Sequence, residues 1–105
     1  MMTLSSNSPI INKVDTYVGF AVKSGRVIWG LDMLKKAKKA PFVILIDERI
    51  GQNSLKQVNL YAERNSVPIV VMPAEHLNNS LARTNVKILS VCDENLAKAI
   101  LNTIK

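Results

Sequence analysis

The run Phe42-Val-Ile-Leu-Ile46 constrains the fold of this chain more than any other segment. Five consecutive strand-forming apolar residues leave no polar face for water, so this strand must be covered on both sides. Helical patterns precede and follow it, and further short apolar runs alternate with them along the chain. This alternation predicts a three-layer α/β/α sandwich around a four-stranded mixed sheet.

The predicted order begins and ends with a helix. Ser8 is placed to cap the first helix from Pro9, Asp93 can cap the last helix, and Pro41 closes the second. Strands are predicted over 27–29, 42–46, 67–72 and 86–92, and helices over 9–24, 31–39, 55–62, 73–81 and 94–104. A chain of 105 residues has the length of one domain. We therefore predict a single α/β/α domain over residues 9–105, preceded by a polar, disordered segment over residues 1–8.

The charge of the chain is concentrated in one segment. The net charge is +6, and six basic residues but one acid lie between positions 23 and 39. These residues are Lys23, Arg26, Asp32, Lys35, Lys36, Lys38 and Lys39. A basic patch favours a polyanion partner such as RNA. A lysine-rich, solvated helix face explains the same pattern, and charge alone leaves both interpretations open.

The cellular compartment is predicted from the apolar runs, the first residues and the one cysteine of the sequence. The longest apolar run has five residues, well short of the ~20 that a membrane helix needs. The first residues have no basic cluster followed by a long apolar stretch, so no secretory signal is predicted. The one cysteine, Cys92, cannot form an internal disulfide, which fits a reducing compartment. We predict a cytoplasmic protein without a membrane partner.

Catalytic chemistry is sparse. His76 is the one histidine, and one histidine with one cysteine does not supply the three or four ligands of a zinc site. Cys92 is interpreted as a small hydrophobe rather than a nucleophile. Asp47 and Glu48 follow the central strand, where ligand groups often lie, but polar strand ends are also common. We therefore predict no enzyme, no metal site and no cofactor, while an enzyme that uses Asp47 and Glu48 stays a minor alternative.

The segment from Gly25 to Lys36 carries the strongest local signal. A glycine permits close backbone approach, and a helix that starts after Gly30 presents free amide donors to an anion. Side chains of the first turn would face a docked partner, and the lysines can reach phosphates; these residues are Asp32, Met33, Lys35, Lys36 and Lys39. Such an arrangement suits RNA with splayed or non-canonically paired bases. An ordinary glycine-started helix with a lysine-rich outer face is an equal alternative.

Three pieces of the chain resemble the L-seven-Ae and L-thirty-e superfamily of small ribosomal proteins, especially its bacterial members. They are Gly25-Arg26-Val27 followed by Gly30, the strand Ala40–Glu48, and the segment Val67–Leu77. The resemblance runs from about Ile10 to Ile104. It implies a three-layer α/β/α sandwich that binds kink-turn RNA without catalysis.

The family's RNA-contacting positions transfer unevenly. Gly30 and Lys36 match the family pattern, whereas Asp32 replaces an amide or amine, and Met33 replaces the glutamate or glutamine that reads sheared G·A pairs. Methionine cannot make those hydrogen bonds, so we expect altered discrimination among RNAs. The family also uses the loop before its last strand, which here is Ala82–Val86. The charge pattern and the resemblance together place RNA contacts on Arg26, Gly30, Leu31, Asp32, Met33, Lys35, Lys36, Lys39, Asp47, Glu48, Ala82, Arg83, Thr84, Asn85 and Val86.

The resulting hypothesis is a cytoplasmic protein that binds structured RNA, with ribosomal RNA as the expected partner and DNA not expected. The departures at Asp32 and Met33 motivate an alternative from another class. In it, the same fold serves as a protein-interaction module that has lost RNA recognition. An exposed Trp29 would then be an interface anchor, and a core Trp29 is the competing interpretation.

Overall fold

A computed structural model of the chain describes residues 2–104. Within them lie five strands and five helices in the order β1 (Met2–Thr3), α1 (Ile11–Lys23), β2 (Val27–Trp29), α2 (Gly30–Lys36), β3 (Val43–Asp47), α3 (Gln52–Asn65), β4 (Ile69–Met72), α4 (His76–Leu81), β5 (Ile88–Val91) and α5 (Glu94–Ile104). None of these helices is long and apolar enough to cross a bilayer.

The strands form one mixed sheet in the order β1-β4-β3-β5-β2. β1, β4 and β3 are parallel, whereas β5 runs antiparallel to β3, and β2 runs antiparallel to β5. Every residue of β3 is buried, as its apolar sequence predicts. The prediction of an α/β fold with a mixed sheet is thus confirmed, but the sheet has five strands rather than four.

Alternating side chains of the sheet create two cores. One core joins the sheet to α1, α4 and α5 through Val14, Leu77 and Ile100. The other joins the opposite face to α2 and α3 through Leu34 and Val58. This arrangement supplies helices to both faces of β3, which its lack of a polar face requires.

The fifth strand lies in the segment that the sequence predicts to be disordered. Met2 and Thr3 pair with Val70 and Val71 of β4, and the Leu4 N–H donates to the Val71 carbonyl over 2.9 Å. The Leu4 side chain is buried. Residues 2–4 are therefore part of the fold, and the prediction for them is wrong because the free edge of β4, not local sequence, supplies their hydrogen bonds.

Two helix ends differ from the prediction. α1 begins at Ile11 rather than Pro9, because residues 8–11 form a turn in which the Ile11 N–H donates to the Ser8 carbonyl. α2 ends at Lys36 rather than Lys39, since Ala37 is extended with ψ 136°. The early end turns the chain back toward the start of β3.

Candidate nucleic-acid interface

Three segments predicted separately as RNA contacts meet at one end of the sheet. β2, β3 and β4 run in the same direction, so their carboxyl ends lie at one edge, together with the start of the antiparallel β5. We call this end the carboxyl edge; it comprises Gly30, Glu48, residues 73–76 and residues 83–87. The topology thus brings the Gly30 turn beside the loop before β5.

Gly30 forms the corner between β2 and α2. Its φ is +80°, which an L side chain rarely adopts, and a Cβ at this position would meet no atom within 4 Å. Glycine is therefore needed here for backbone conformation, while the space above it is open. The corner therefore leaves room for another molecule to approach the backbone closely.

Trp29 is half-buried, so it is neither the fully exposed interface anchor nor the fully buried core residue that the sequence analysis considered. The ring packs against the α1–α5 core, and the Arg83 guanidinium lies 4.0 Å from the ring centroid. A stacked guanidinium of this kind is held by the cation–π interaction. The Trp29–Arg83 pair therefore joins the Gly30 corner to the loop before β5.

The loop before β5 has a defined shape. Ala82 and Asn85 have left-handed φ values of 52° and 60°, and Arg83, Thr84 and Asn85 are exposed. A cleft of about 280 Å³ separates this loop from Trp29 and Gly30. The predicted loop Ala82–Val86 thus faces the Gly30 corner, although Val86 itself is buried.

Asn78 holds this loop in place. Its buried side chain accepts a hydrogen bond from the Val86 N–H over 2.8 Å and donates one to Glu75 over 3.1 Å. Its backbone carbonyl accepts from the Arg83 N–H over 2.9 Å. Sequence analysis assigned Asn78 no role, because its partner Val86 is brought to it only by the shape of the loop.

Asn78→Ala should destabilise the fold by about 1–3 kcal/mol, because the buried Val86 N–H loses its acceptor. Asn79→Ala is the matched control, since Asn79 is exposed, and its effect should stay within about 0.5 kcal/mol. Urea denaturation of the two variants measures the difference. Equal stability of the two would show that Asn78 does not hold the loop.

Asp47 is a structural residue rather than an RNA contact. Its side chain is fully buried, and its two oxygens accept hydrogen bonds from the Arg49 N–H over 2.7 Å and the Glu75 N–H over 2.9 Å. The Lys87 ammonium lies 4.0 Å away. The carboxylate has no exposed surface for a ligand, so the prediction of direct RNA contact is wrong for Asp47.

The charges of the carboxyl edge are largely paired with one another. Glu75 lies 3.2 Å from the Arg49 guanidinium and 3.9 Å from the Lys87 ammonium. Glu48 is exposed, and its carboxylate accepts a hydrogen bond from the Ala74 N–H over 3.0 Å. Sequence analysis missed Arg49, Glu75 and Lys87, because only the meeting of three strand ends places them together.

Several of the predicted cations lie away from the Gly30 corner. Arg26 precedes β2, at the end opposite Gly30, and its guanidinium lies 3.5 Å from Asp93. A three-residue strand is roughly 10 Å long, so Arg26 and Gly30 lie at opposite ends of β2. Lys39 also lies beyond α2, near the start of β3. Because β2 carries the chain to the Gly30 corner and α2 carries it back, Arg26 and Lys39 lie at the end of the sheet opposite the carboxyl edge rather than beside Gly30.

Lys35 and Lys36 point in different directions. The Lys35 ammonium donates to the Gln57 side chain on α3, whereas Lys36 lines a groove beside Val27 and Trp29. Successive helical residues lie about 100° apart, so this divergence follows from helix geometry. Asp32 and Met33 are exposed in the first turn, as predicted, and Leu31 packs partly against the α2–α3 core.

The two residues weighed for catalysis have ordinary structural surroundings. The His76 Nε2 lies 2.7 Å from an Asp15 carboxylate oxygen, which links the start of α4 to α1. Cys92 is partly buried, and this burial raises the pKa of its thiol, so the thiol is protonated at neutral pH. Both residues therefore have roles that need no substrate. The absence of catalysis stays a prediction.

Fold and geometry together define a class: a three-layer α/β/α protein with a glycine corner and a shaped loop at the carboxyl edge. Family models and curated proteins provide no match to the chain. A protein of unknown function from Bacillus halodurans C matches with a TM-score of 0.79 and 15% identity, over 88% of this chain and 96% of that one.

A second solved structure is the Giardia lamblia 15.5kD RNA binding protein. It matches with a TM-score of 0.70 and 13% identity, over 94% of this chain and 88% of that one. The chain shares the fold of these two proteins. The α/β fold that the sequence resemblance implies is the one observed, whereas membership of the L-seven-Ae and L-thirty-e superfamily stays a prediction.

Proposed function

We propose that this protein binds structured RNA at the carboxyl edge, with kink-turn RNA as the specific ligand and ribosomal RNA as the first candidate partner. One observation carries the proposal: the Gly30 corner, the Trp29–Arg83 pair and the exposed loop residues meet at one edge. A solved structure with this fold is an RNA-binding protein by name.

The proposed contacts divide into two kinds. Arg83 at the carboxyl edge and Lys36 at the end of α2 are exposed cations that would neutralise phosphates. Thr84 and Asn85 offer hydrogen-bonding side chains beside the cleft. Phosphate contacts supply affinity, whereas contacts to base edges supply selectivity. The open space above Gly30 lets the kinked backbone come close without a steric clash.

Met33 is expected to lower the selectivity of this protein among RNA bases. Its side chain is 57% exposed in the first turn of α2, where the family carries a glutamate or glutamine. The thioether cannot replace those hydrogen bonds, so base discrimination there is weakened. By analogy with direct readout of DNA, one lost bidentate contact costs about 1–3 kcal/mol.

A filter-binding titration of a kink-turn hairpin and a straight duplex tests the proposal. We expect tighter binding to the hairpin, with a log–log salt slope of roughly −3 to −4 if about four phosphates are neutralised. Arg83→Ala and Lys36→Ala should each weaken hairpin binding by about five- to ten-fold through one lost charged contact.

Arg64→Ala is the matched control, because Arg64 is an exposed arginine near the end of α3, far from the carboxyl edge. It should leave hairpin binding within about two-fold. Equal, weak binding to hairpin and duplex would contradict kink-turn recognition. Equal losses for Arg83→Ala and Arg64→Ala would contradict this choice of surface.

A further inference from the structure

The outer edge of β2 carries backbone groups without partners. β2 is the last strand of the sheet, and the Cys92 N–H donates to the Arg26 carbonyl over 2.8 Å. Bonded pairs alternate along an antiparallel ladder, so Ile28 directs both of its backbone groups toward β5, whereas the Arg26 N–H donates to the Ala21 carbonyl over 2.9 Å. The Val27 N–H and carbonyl and the Trp29 N–H therefore point outward. No hydrogen bond to another group in residues 2–104 engages these three groups.

A groove of about 230 Å³ follows this edge. It is lined by Val27, Ile28, Trp29, Met33, Lys36 and Ala37. Val27 and Trp29 face the core covered by α1, α4 and α5, and Ile28 faces the core covered by α2 and α3. A groove lined by all three residues therefore spans the outer edge of the strand. Free backbone donors and an acceptor thus lie beside an apolar trough.

The charge around the groove is mainly positive, although the Arg26 guanidinium lies 3.5 Å from the Asp93 carboxylate. Lys36 lines it, Arg26 lies at the start of β2, and the exposed Lys38 and Lys39 follow Ala37. No acidic residue lines the groove. A second copy of the chain paired edge to edge would bring these cations against themselves, which disfavours self-pairing. An acidic partner would complement them.

We propose that the outer edge of β2 binds an extended, acidic peptide segment of a partner protein as a sixth strand. Main-chain hydrogen bonds to Val27 and Trp29 would supply affinity, and alternate apolar side chains would enter the groove. Acidic side chains on the segment would face Lys36 and Arg26. This inference goes beyond RNA binding and does not depend on it.

A fluorescein-labelled peptide of alternating glutamate and valine is the probe, and anisotropy of the labelled peptide is the measurement. We expect saturable binding with a Kd on the order of 100 μM or tighter, as for a small transient interface. A peptide in which lysine replaces glutamate should not bind. Hydrogen exchange of the Val27 and Trp29 amides should slow when the acidic peptide is added.

Two variants test the main-chain hydrogen bonds and the charge contacts separately. Val27→Pro removes an outward N–H without touching the hydrogen bonds to β5, and should weaken binding about five-fold. Lys36→Glu should weaken it about three- to ten-fold. Lys56→Glu is the matched control, since it changes the net charge equally at an exposed site on α3, and should leave binding within two-fold.

Thermal melting checks that each variant is folded. If Val27→Pro does not fold, the proposal is tested by Lys36→Glu and by hydrogen exchange of the original chain. Lack of saturable binding would overturn the proposal, as would equal weakening by Lys36→Glu and Lys56→Glu. Self-association abolished by Val27→Pro, without peptide binding, would instead assign the edge to a second copy. Because none of these measurements contains RNA, their outcome is independent of RNA binding.

Discussion

Asp47→Ala should lower the free energy of unfolding by about 3–5 kcal/mol. Hydrogen bonds to a charged group contribute about 1.5–3 kcal/mol each, and Asp47 accepts two from buried or partly buried backbone N–H groups. Its replacement leaves both donors without a partner. Glu75, whose N–H is one of them, has a left-handed φ of 65°, so the turn before α4 should loosen as well.

Guanidinium chloride denaturation measures this effect, with Glu48→Ala as the matched control. Glu48 is the next residue and also accepts a backbone hydrogen bond, but it is exposed, so its loss should cost less than about 1 kcal/mol. Asp47→Asn, which keeps the volume and one acceptor oxygen, should fall between the two. A similar loss for Asp47→Ala and Glu48→Ala would show that the buried carboxylate does not stabilise the turn.

Leu34→Ala should cost about 3 kcal/mol of stability and detach α2 from the sheet. Leu34 is the one buried residue among the seven of α2, with no exposed surface. Truncating a buried leucine loses transfer free energy and leaves a cavity, together about 2–5 kcal/mol. Because α2 carries Met33 and Lys36, the same variant should also weaken kink-turn binding below its melting temperature.

Met33→Ala is the control for stability, because Met33 adjoins Leu34 but is 57% exposed. Its effect on unfolding should stay within about 0.5 kcal/mol. Circular dichroism during thermal and denaturant unfolding follows both variants. If Leu34→Ala melted like Met33→Ala, then α2 would be held by something other than its buried leucine.

Local sequence patterns predicted most of the elements of the fold. The apolar run predicted at 42–46 forms the buried strand β3 over Val43–Asp47, and Asp93 caps α5 by accepting a hydrogen bond from the Leu96 N–H over 2.9 Å. Such features depend on neighbours in the chain, and so they can be read from spacing. Phe42, by contrast, lies outside β3 and is 43% exposed.

The errors at the edge strand and at the site concern mainly contacts between distant segments of the chain, whereas the errors at the ends of α1 and α2 are local. β1 exists because β4 offers a free edge 68 positions away, and residues 1–8 hold no strong strand pattern of their own. Asp47 is buried because Arg49 and Glu75 turn their N–H groups toward it. The six basic residues lie close to Gly30 in sequence, but all of them precede β2 or lie at or beyond the end of α2, so the Gly30 corner stands apart from them.

The sequence by itself determined that one strand would be buried on both faces, that helices would cover it, and that a glycine would mark the corner before α2. These follow from side-chain periodicity and from the backbone freedom of glycine, which are local properties. Only the tertiary structure decided which loops share the carboxyl edge, which carboxylate is buried and which strand edge is left open. Those outcomes depend on strand order and register, which arise from packing between distant segments.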